Sequence, residues 1–330
     1  MITLVYERAD HPDIYYAVKW ASDVKCLYVV EERVLYVPGF EYLRAKKEVS
    51  ACEVRKLEDL KELLTNITAP VRVNTTFPHA LTQHIQTEVS VVSEIHPARR
   101  KKTSKELLFM QEAQKITQEA IQEVIMVLEQ ATLREGVAYL NEEVLTSEYL
   151  KQLARTHLLR KQADCKELII ASGEQTSQPH NRGSGPIREG PVIIDIFAQS
   201  KDLYYGDCTR TYILGEDQEA KRMLAAVKQA HDECIQLCKP GIPIKDLHLR
   251  AEKVLKENGF QTSAEEGFIH SLGHGVGLEV HEAPGIHAKN EDVVEEQMVF
   301  TIEPGLYYKT GVRHENIIVV TKQGARRIEE

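Results

Sequence analysis

The chain has 330 residues, 42% of them hydrophobic, and a formal net charge of −9. This length allows two domains, and the apolar fraction is normal for a globular protein with a real core. The acidic balance argues against a nucleic-acid partner, because phosphate contacts need a basic surface. No apolar run approaches the roughly 18 residues that cross a bilayer, so no membrane partner is expected either.

The composition also bears on the compartment. The first residues carry charges within ten positions and lack the unbroken apolar run of a secretory signal peptide. The sequence therefore predicts a cytoplasmic protein, in which cysteines are expected to be free thiols. Cys234 and Cys238 lie four residues apart on a predicted helix and could bind zinc, but no second pair of cysteines or histidines lies near them. The six cysteines are Cys26, Cys52, Cys165, Cys208, Cys234 and Cys238.

Residues 1–97 are predicted to form a small α/β domain. Residues 26–30 and 34–38 have the pattern of a strand hairpin. Helices are expected at 40–48 and 58–66, and a short strand at 71–74. Residues 98–104 are basic and lack an apolar period, which indicates a linker, with a polybasic targeting patch as the alternative.

Residues 105–330 are predicted to form a second, α+β domain. Apolar residues recur at helical spacing from Lys105 for more than twenty residues. The other elements expected in this domain are a helix at 138–155, strands at 167–172 and 192–196, helices at 217–237 and 245–258, and mostly strand and turn beyond them. Gly259 is expected to follow the last helix as its C′ residue.

Two segments of this domain share one pattern. Each is a β-rich run that ends in an acid, followed by a turn-rich stretch and a second acid that leads into another β-rich run. The first pair is Asp195 and Asp207, and the second is Glu303 and Glu315. The separation is even in both cases, so a hairpin can place both carboxylates of a pair on one face of its sheet.

Carboxylates flanked by such apolar strands would be buried, and several buried acids cannot stay together without cations. Arg210 and Arg313 could serve two of them. His274, within Gly273–Gly275, lies between the two acid pairs and is a natural metal ligand. An oxygen-rich set with one imidazole favours two divalent ions such as Mn²⁺, Co²⁺, Fe²⁺ or Zn²⁺.

The segments around these residues closely resemble those of the pita-bread metallopeptidases, which include prolidase, Xaa-Pro aminopeptidase and methionine aminopeptidase. The resemblance covers about residues 105–325. Its motifs are Asp195-Ile-Phe, Gly206-Asp207-Cys-Thr-Arg-Thr211, Gly273-His-Gly-Val-Gly277, His281-Glu-Ala-Pro284, Thr301-Ile-Glu-Pro-Gly305 and Gly311-Val-Arg-His-Glu315. The preceding α/β domain fits the prolidase and Xaa-Pro aminopeptidase branch. The resemblance implies a catalytic domain with pseudo-two-fold internal symmetry.

The resemblance also implies a role for each residue. Asp195 and Asp207 would bind one metal ion, and Asp207, His274, Glu303 and Glu315 the other, with Asp207 and Glu315 as bridges. Glu303 would take a proton from the water that becomes the metal-bridging hydroxide. His281 would stabilise the tetrahedral intermediate, and His270 would be a catalytic residue as well. His180, His270 and His281 would line the substrate pocket, and Arg313 would orient Asp195.

Several positions depart from the family pattern. Phe197 stands where glycine is commoner, and the first acid pair has one extra residue between its members. His314 and Asn316 flank Glu315, where an aliphatic residue and an aspartate are usual. The N-terminal domain is shorter than usual. Gly285 follows the His-Glu-Ala-Pro motif where many prolidases carry an arginine that helps to bind a dipeptide carboxylate.

The implied activity is hydrolysis of the peptide bond after an N-terminal residue, preferentially before proline, in a protein that forms a homodimer. Gly285 favours an Xaa-Pro aminopeptidase over a strict Xaa-Pro dipeptidase. The alternatives are the dipeptidase itself, a peptidase of the same fold with other specificity, a non-catalytic peptide-binding module, and a metal-free hydrolase like the creatine-hydrolysing relative.

Overall fold

The computed structural model describes all 330 residues, and the chain divides into two units, Met1–Arg99 and Arg100–Glu330. The first unit is built on a six-stranded mixed sheet with strand order β4-β3-β2-β1-β5-β6. Its strands are β1 (Ile2–Arg8), β2 (Lys25–Val29), β3 (Val34–Pro38), β4 (Glu53–Leu57), β5 (Val71–Asn74) and β6 (Val89–Val92). Its helices are α1 (Pro12–Val18), α2 (Tyr42–Glu48), α3 (Leu60–Thr65) and α4 (His79–Thr82).

The first sheet is covered on both faces. Leu4 and Val5 alternate along β1, and each belongs to a different apolar cluster. The predicted hairpin is confirmed, because β2 and β3 pair antiparallel with Val29 opposite Val34. The two predicted helices and the strand at Val71–Asn74 are also present.

The second unit begins with a long helix, α5 (Ser104–Gln130), which the apolar spacing predicted. Thr103 and Glu106 form a reciprocal capping box at its start. Helix α5 and a second helix, α6 (Ser147–Arg160), bury apolar side chains against a three-stranded antiparallel sheet. The strands of that sheet are β10 (Ile169–Ser172), β11 (Gly190–Ile196) and β12 (Cys208–Leu214).

The helix predicted at 138–155 is wrong over its first nine residues. That stretch belongs to a small meander of β7 (Thr132–Arg134), β8 (Val137–Leu140) and β9 (Glu143–Val144), and α6 starts only after it. Two two-residue turns, Glu135-Gly136 and Asn141-Glu142, join the strands, and all four residues have positive φ. Such turns match the twist of a hairpin, so they decide the structure of this stretch.

The second half of this unit repeats the same construction. Helices α7 (Gln218–Leu237) and α8 (Ile244–Glu257) pack on an antiparallel sheet with strand order β14-β13-β15-β18-β19. Gly259 has positive φ directly beyond α8, as expected of a C′ glycine. The strands of that sheet are β13 (Gly273–Gly275), β14 (Glu282–Ile286), β15 (Val299–Ile302), β18 (Asn316–Thr321) and β19 (Gly324–Arg327). Strands β16 (Gly305–Tyr307) and β17 (Gly311–Arg313) form a separate two-stranded ladder.

The basic run that precedes α5 is paired with acids of its own unit. Lys102 is 3% exposed and its ammonium lies 2.6 Å from a carboxylate oxygen of Glu282. Arg100 pairs with Asp292 at 2.9 Å, and Lys101 pairs with Glu295. The positive charges of the run are therefore largely balanced within the second unit.

All six cysteines are free thiols, five of them buried. No helix is both long enough and apolar enough to traverse a bilayer.

Candidate metal centre

The first acid pair lies on the hairpin of β11 and β12. Asp195 is opposite Thr209 in the ladder, and Asp207 immediately precedes β12. Because side chains alternate along a strand, Asp207 and Thr209 share a face. The backbone N–H of Asp207 donates to the side-chain oxygen of Gln114, a fully buried residue of α5, at 2.8 Å. The long helix thus fixes the position of this acid.

The second acid pair lies where a longer hairpin is interrupted. Strands β15 and β18 pair with Ile302 opposite Asn316, and β16 and β17 continue the same register with Gly305 opposite Arg313. Glu303 and Glu315 occupy the gap between the two ladders. Their N–H groups donate outside the hairpin, to the carbonyls of Leu272 and Thr209. The two carboxylates therefore sit at a break that neighbouring strands hold in place.

The imidazole of His274 enters between the two acid pairs from β13. Its neighbours must be glycine, because a Cβ on Gly273 would lie 2.0 Å from the carbonyl oxygen of Thr301 and one on Gly275 would lie 2.3 Å from that of Ala283. Nδ1 of His274 lies 3.1 Å from the carbonyl oxygen of Gly275. When Nδ1 donates that bond, Nε2 carries the lone pair that faces the acids.

These side chains converge closely. Nε2 of His274 lies 3.2 Å from Oε1 of Glu303 and 3.7 Å from Oδ2 of Asp207. The ligand atoms of Asp207, His274 and Glu315 all lie within 4.8 Å of one another. Thr209 donates its hydroxyl to Oε2 of Glu315 at 2.6 Å, which orients that carboxylate.

The electrostatics of the cluster show that it lacks positive charge. Burial, together with the charges of Glu315 and Asp195, raises the pKa of Asp207 well above its usual value. Burial and the charge of Glu303 raise the pKa of Glu315 to about 8. For Glu303, burial alone would raise the pKa, but the hydrogen bond with His274 and its charge lower it. The acids therefore repel one another more than the nearby cations compensate.

Arg313 supplies the one guanidinium buried within the cluster. It is 3% exposed, and its Nη2 donates to Oδ2 of Asp195 at 2.5 Å. Its Nε donates to the hydroxyl of Thr209 and its Nη1 to the hydroxyl of Tyr307, at 3.1 and 2.8 Å. The arginine thus orients Asp195, and its charge offsets only part of the repulsion among the other acids.

Divalent metal ions fit this donor set. The groups that converge are carboxylate oxygens and one imidazole nitrogen, which suit hard or borderline ions such as Mn²⁺, Co²⁺, Fe²⁺ or Zn²⁺. Two positive ions would remove the repulsion that raises the pKa values of Asp207 and Glu315. The residues present therefore match a metal centre.

The acids lie in the floor of a cleft of about 510 Å³. The side chains assigned a role by the family resemblance all border it: Asp195, Asp207, His274, Glu303, Glu315, Arg313, His180, His270 and His281. Arg210, which was expected to serve one of the acids, instead donates to the carbonyls of Thr209 and Glu315. Gly285 also lines the wall, so the position that lacks an arginine does face the cleft.

The three accessory histidines differ in their surroundings. His281 is exposed, and its ring lies 4.2 Å from that of His274, centroid to centroid. Burial and the charge of His274 lower the pKa of His281, so its imidazole is neutral near pH 7. His270 has both nitrogens occupied, Nδ1 by the carbonyl of Ser271 at 2.7 Å and Nε2 by the hydroxyl of Tyr307 at 3.2 Å. His180 is exposed at the edge.

Sequence reasoning missed several residues of the site. Tyr307 joins His270 to Arg313, and Thr209 joins Arg313 to Glu315, but neither residue type signals such a role on its own. Gln114 did leave a signal, because it is a polar residue on the buried side of α5. Arg182 also lines the cleft, and no motif in the sequence points to it.

The chain is similar to known proteins over most of its length. The sequence model of the metallopeptidase family M24 matches residues 109–322. An Xaa-Pro dipeptidase of Pyrococcus furiosus is 32% identical over 90% of this chain and 84% of its own length. An Xaa-Pro dipeptidase of Pyrococcus horikoshii is 30% identical over 97% of this chain and 91% of its own.

A solved structure supports the fold as well. The prolidase from Pyrococcus furiosus superposes with a TM-score of 0.86 at 28% identity, over 100% of this chain and 96% of that one. The α+β pita-bread fold with a preceding α/β domain is confirmed by this match.

Proposed function

Because this chain belongs to the metallopeptidase family M24, we propose that its cleft hydrolyses the peptide bond after an N-terminal residue, preferentially where proline follows. The observation that carries this proposal is the convergence of four acids, His274 and the accessory histidines on one cleft. The names of the two Pyrococcus relatives support the Xaa-Pro preference.

The proposal assigns the metal ligands residue by residue. Asp195, Asp207 and Glu315 would hold one divalent ion, and Asp207, His274, Glu303 and Glu315 the other, so that Asp207 and Glu315 would be shared by both ions. Bound divalent ions lower the pKa of a water molecule and polarise a carbonyl. Arg313 keeps Asp195 in its ligating orientation through the 2.5 Å hydrogen bond.

The remaining steps fall to side chains of this chain. Glu303 lies 3.2 Å from Nε2 of His274 and borders the cleft, and its carboxylate can take the proton of the attacking water. His281 is neutral and exposed to the cleft, so it can donate a hydrogen bond to the carbonyl oxygen as negative charge develops there. His270 and His180 form walls around the substrate, with the nitrogens of His270 already bonded to Ser271 and Tyr307.

A cytoplasmic location and a homodimer belong to the same proposal. The free thiols support the first. Phe40 and Leu43 support the second, because they are 80% and 78% exposed on the N-terminal unit and a second copy could cover them.

Length preference separates this proposal from its main alternative, a strict Xaa-Pro dipeptidase. Ala-Pro-Ala is expected to be cleaved with a kcat/KM about tenfold above that of Ala-Pro. The reason is that Gly285 places no cation in the cleft wall where many prolidases carry the arginine for a proline carboxylate.

The test is a comparison of this matched pair with Mn²⁺, Co²⁺ and Zn²⁺ in turn. A clear preference for Ala-Pro under every metal would overturn the length preference and make this protein a dipeptidase.

A further inference from the structure

The cleft contains a cation that the proposed reaction does not use. Among the residues of its wall, only Arg182 and Arg313 carry a guanidinium, and no lysine is present. Arg313 is buried and bound to Asp195, Thr209 and Tyr307. The side chain of Arg182 is 63% exposed, so it is the cation that an incoming ligand can meet.

The backbone that carries Arg182 is firmly held. The carbonyl of Arg182 accepts from the N–H of Ile170, at the start of β10, at 3.1 Å. The next residue, Gly183, has φ +76, and a Cβ there would lie 1.8 Å from the carbonyl oxygen of Ile170. The ammonium of Lys151 donates to the carbonyl of Gly183 at 2.6 Å, and Asn181 accepts from its N–H at 3.0 Å.

This anchoring has a consequence for recognition. An arginine on a fixed backbone loses less freedom on binding a ligand than one on a loose loop. Lys151 adds positive charge close by. Burial lowers the pKa of its ammonium, the charge of Glu148 opposes that shift, and the charges of Arg155 and then Arg182 add to it. The anchored loop therefore presents an organised positive group at the cleft wall.

The present partner of Arg182 is a weak competitor. Glu167 also lines the cleft, and its carboxylate lies 2.5 Å from Nη2 of Arg182. The side chain of Glu167 is 54% exposed, and ion pairs between exposed side chains contribute little to stability. A guanidinium has five N–H donors in a planar fork, so Arg182 can accept a second carboxylate or exchange its partner.

We infer that Arg182 binds a free carboxylate on the leaving side of a short peptide and so makes the enzyme prefer peptides that end near the scissile bond. The inference rests on the proposed function. The reacting carbonyl of the peptide must lie among the buried acids at the floor of the cleft. Arg182 is exposed, so the part of the peptide that Arg182 contacts points outward from that floor. That carboxylate belongs either to proline itself or to the residue that follows it.

Two substrate pairs test the inference on the Mn²⁺-loaded protein: Ala-Pro against its C-terminal amide, and Ala-Pro-Ala against its amide. For the unmodified chain, amidation is expected to lower kcat/KM by about tenfold in at least one pair, mainly through KM, because a charge-assisted hydrogen bond is lost. The pair with the larger effect identifies which carboxylate is bound.

Variants assign the effect to Arg182. In Arg182→Ala, the kcat/KM values of a peptide acid and its amide should lie within about twofold of each other. Arg182→Lys should retain part of the difference in kcat/KM between acid and amide. Glu167→Gln removes the competing carboxylate and should increase the preference for the acid. Arg155→Ala removes an exposed arginine of α6 that does not line the cleft, and it should keep the ratio of the unmodified chain.

Metal content, measured on each variant after dialysis, shows whether the centre is intact. A ratio of acid to amide that is unchanged in Arg182→Ala with full metal content would overturn the inference while leaving the proposed function in place. Failure of the metal-loaded, unmodified chain to cleave any of the four peptides would overturn both.

Discussion

Replacing Asp207 or Glu315 with alanine is expected to abolish binding of two metal ions together and to lower kcat by ~10³-fold or more, since each variant loses a bridging ligand worth several kcal/mol in the transition state. Both acids are almost fully buried, at 3% and 2% exposure. Metal content after dialysis and kcat on Ala-Pro-Ala are the measurements.

A matched control for this loss is Glu174→Ala, which removes an exposed acid outside the cleft that pairs only with Lys309 at 3.7 Å. It should retain both ions and normal kcat. Two equivalents of metal retained in Asp207→Ala or Glu315→Ala would show that the residue does not bridge.

The second large effect is expected for His281→Ala, with a fall in kcat of ~10²–10³-fold and little change in KM. The reason is that a hydrogen bond to the carbonyl oxygen strengthens as charge develops there in the transition state. Metal content should stay at the level of the unmodified chain, because His281 is not one of the assigned ligands. Its contact with the ligand His274 is between the two rings.

His287→Ala is the control for that variant. His281 directly precedes β14 and His287 directly follows it, but His287 does not line the cleft. The variant should therefore leave kcat unchanged. Loss of metal in His281→Ala would instead make His281 a ligand and refute its assigned role.

The acid-bearing hairpins could be predicted because the information is local. Strand periodicity, an even separation of the acids and an apolar flank together specify which face each carboxylate occupies. His274 could be predicted for the same reason, since glycines on both sides of a histidine indicate that the backbone closely approaches its neighbours.

Other features depend on contacts that are distant in sequence. Tyr307 and Thr209 matter only because Arg313 lies between them, and the chain separates Thr209 from Arg313 by more than a hundred residues. The meander at β7–β9 was missed because two turns with positive φ outweigh the helical pattern of the residues around them. Arg182 lies in a segment whose approach to the cleft depends on pairing with β10.

The central claim is that a pair of divalent ions held by this cleft is required for cleavage before proline. The most direct measurement is a titration of chelator-treated protein with Mn²⁺, following release of alanine from Ala-Pro-Ala and from Ala-Ala-Ala. We predict no hydrolysis by the metal-free protein, activity that rises until two equivalents are bound, and faster cleavage of Ala-Pro-Ala throughout. Full activity in the metal-free protein, or equal rates on the two peptides, would contradict the account.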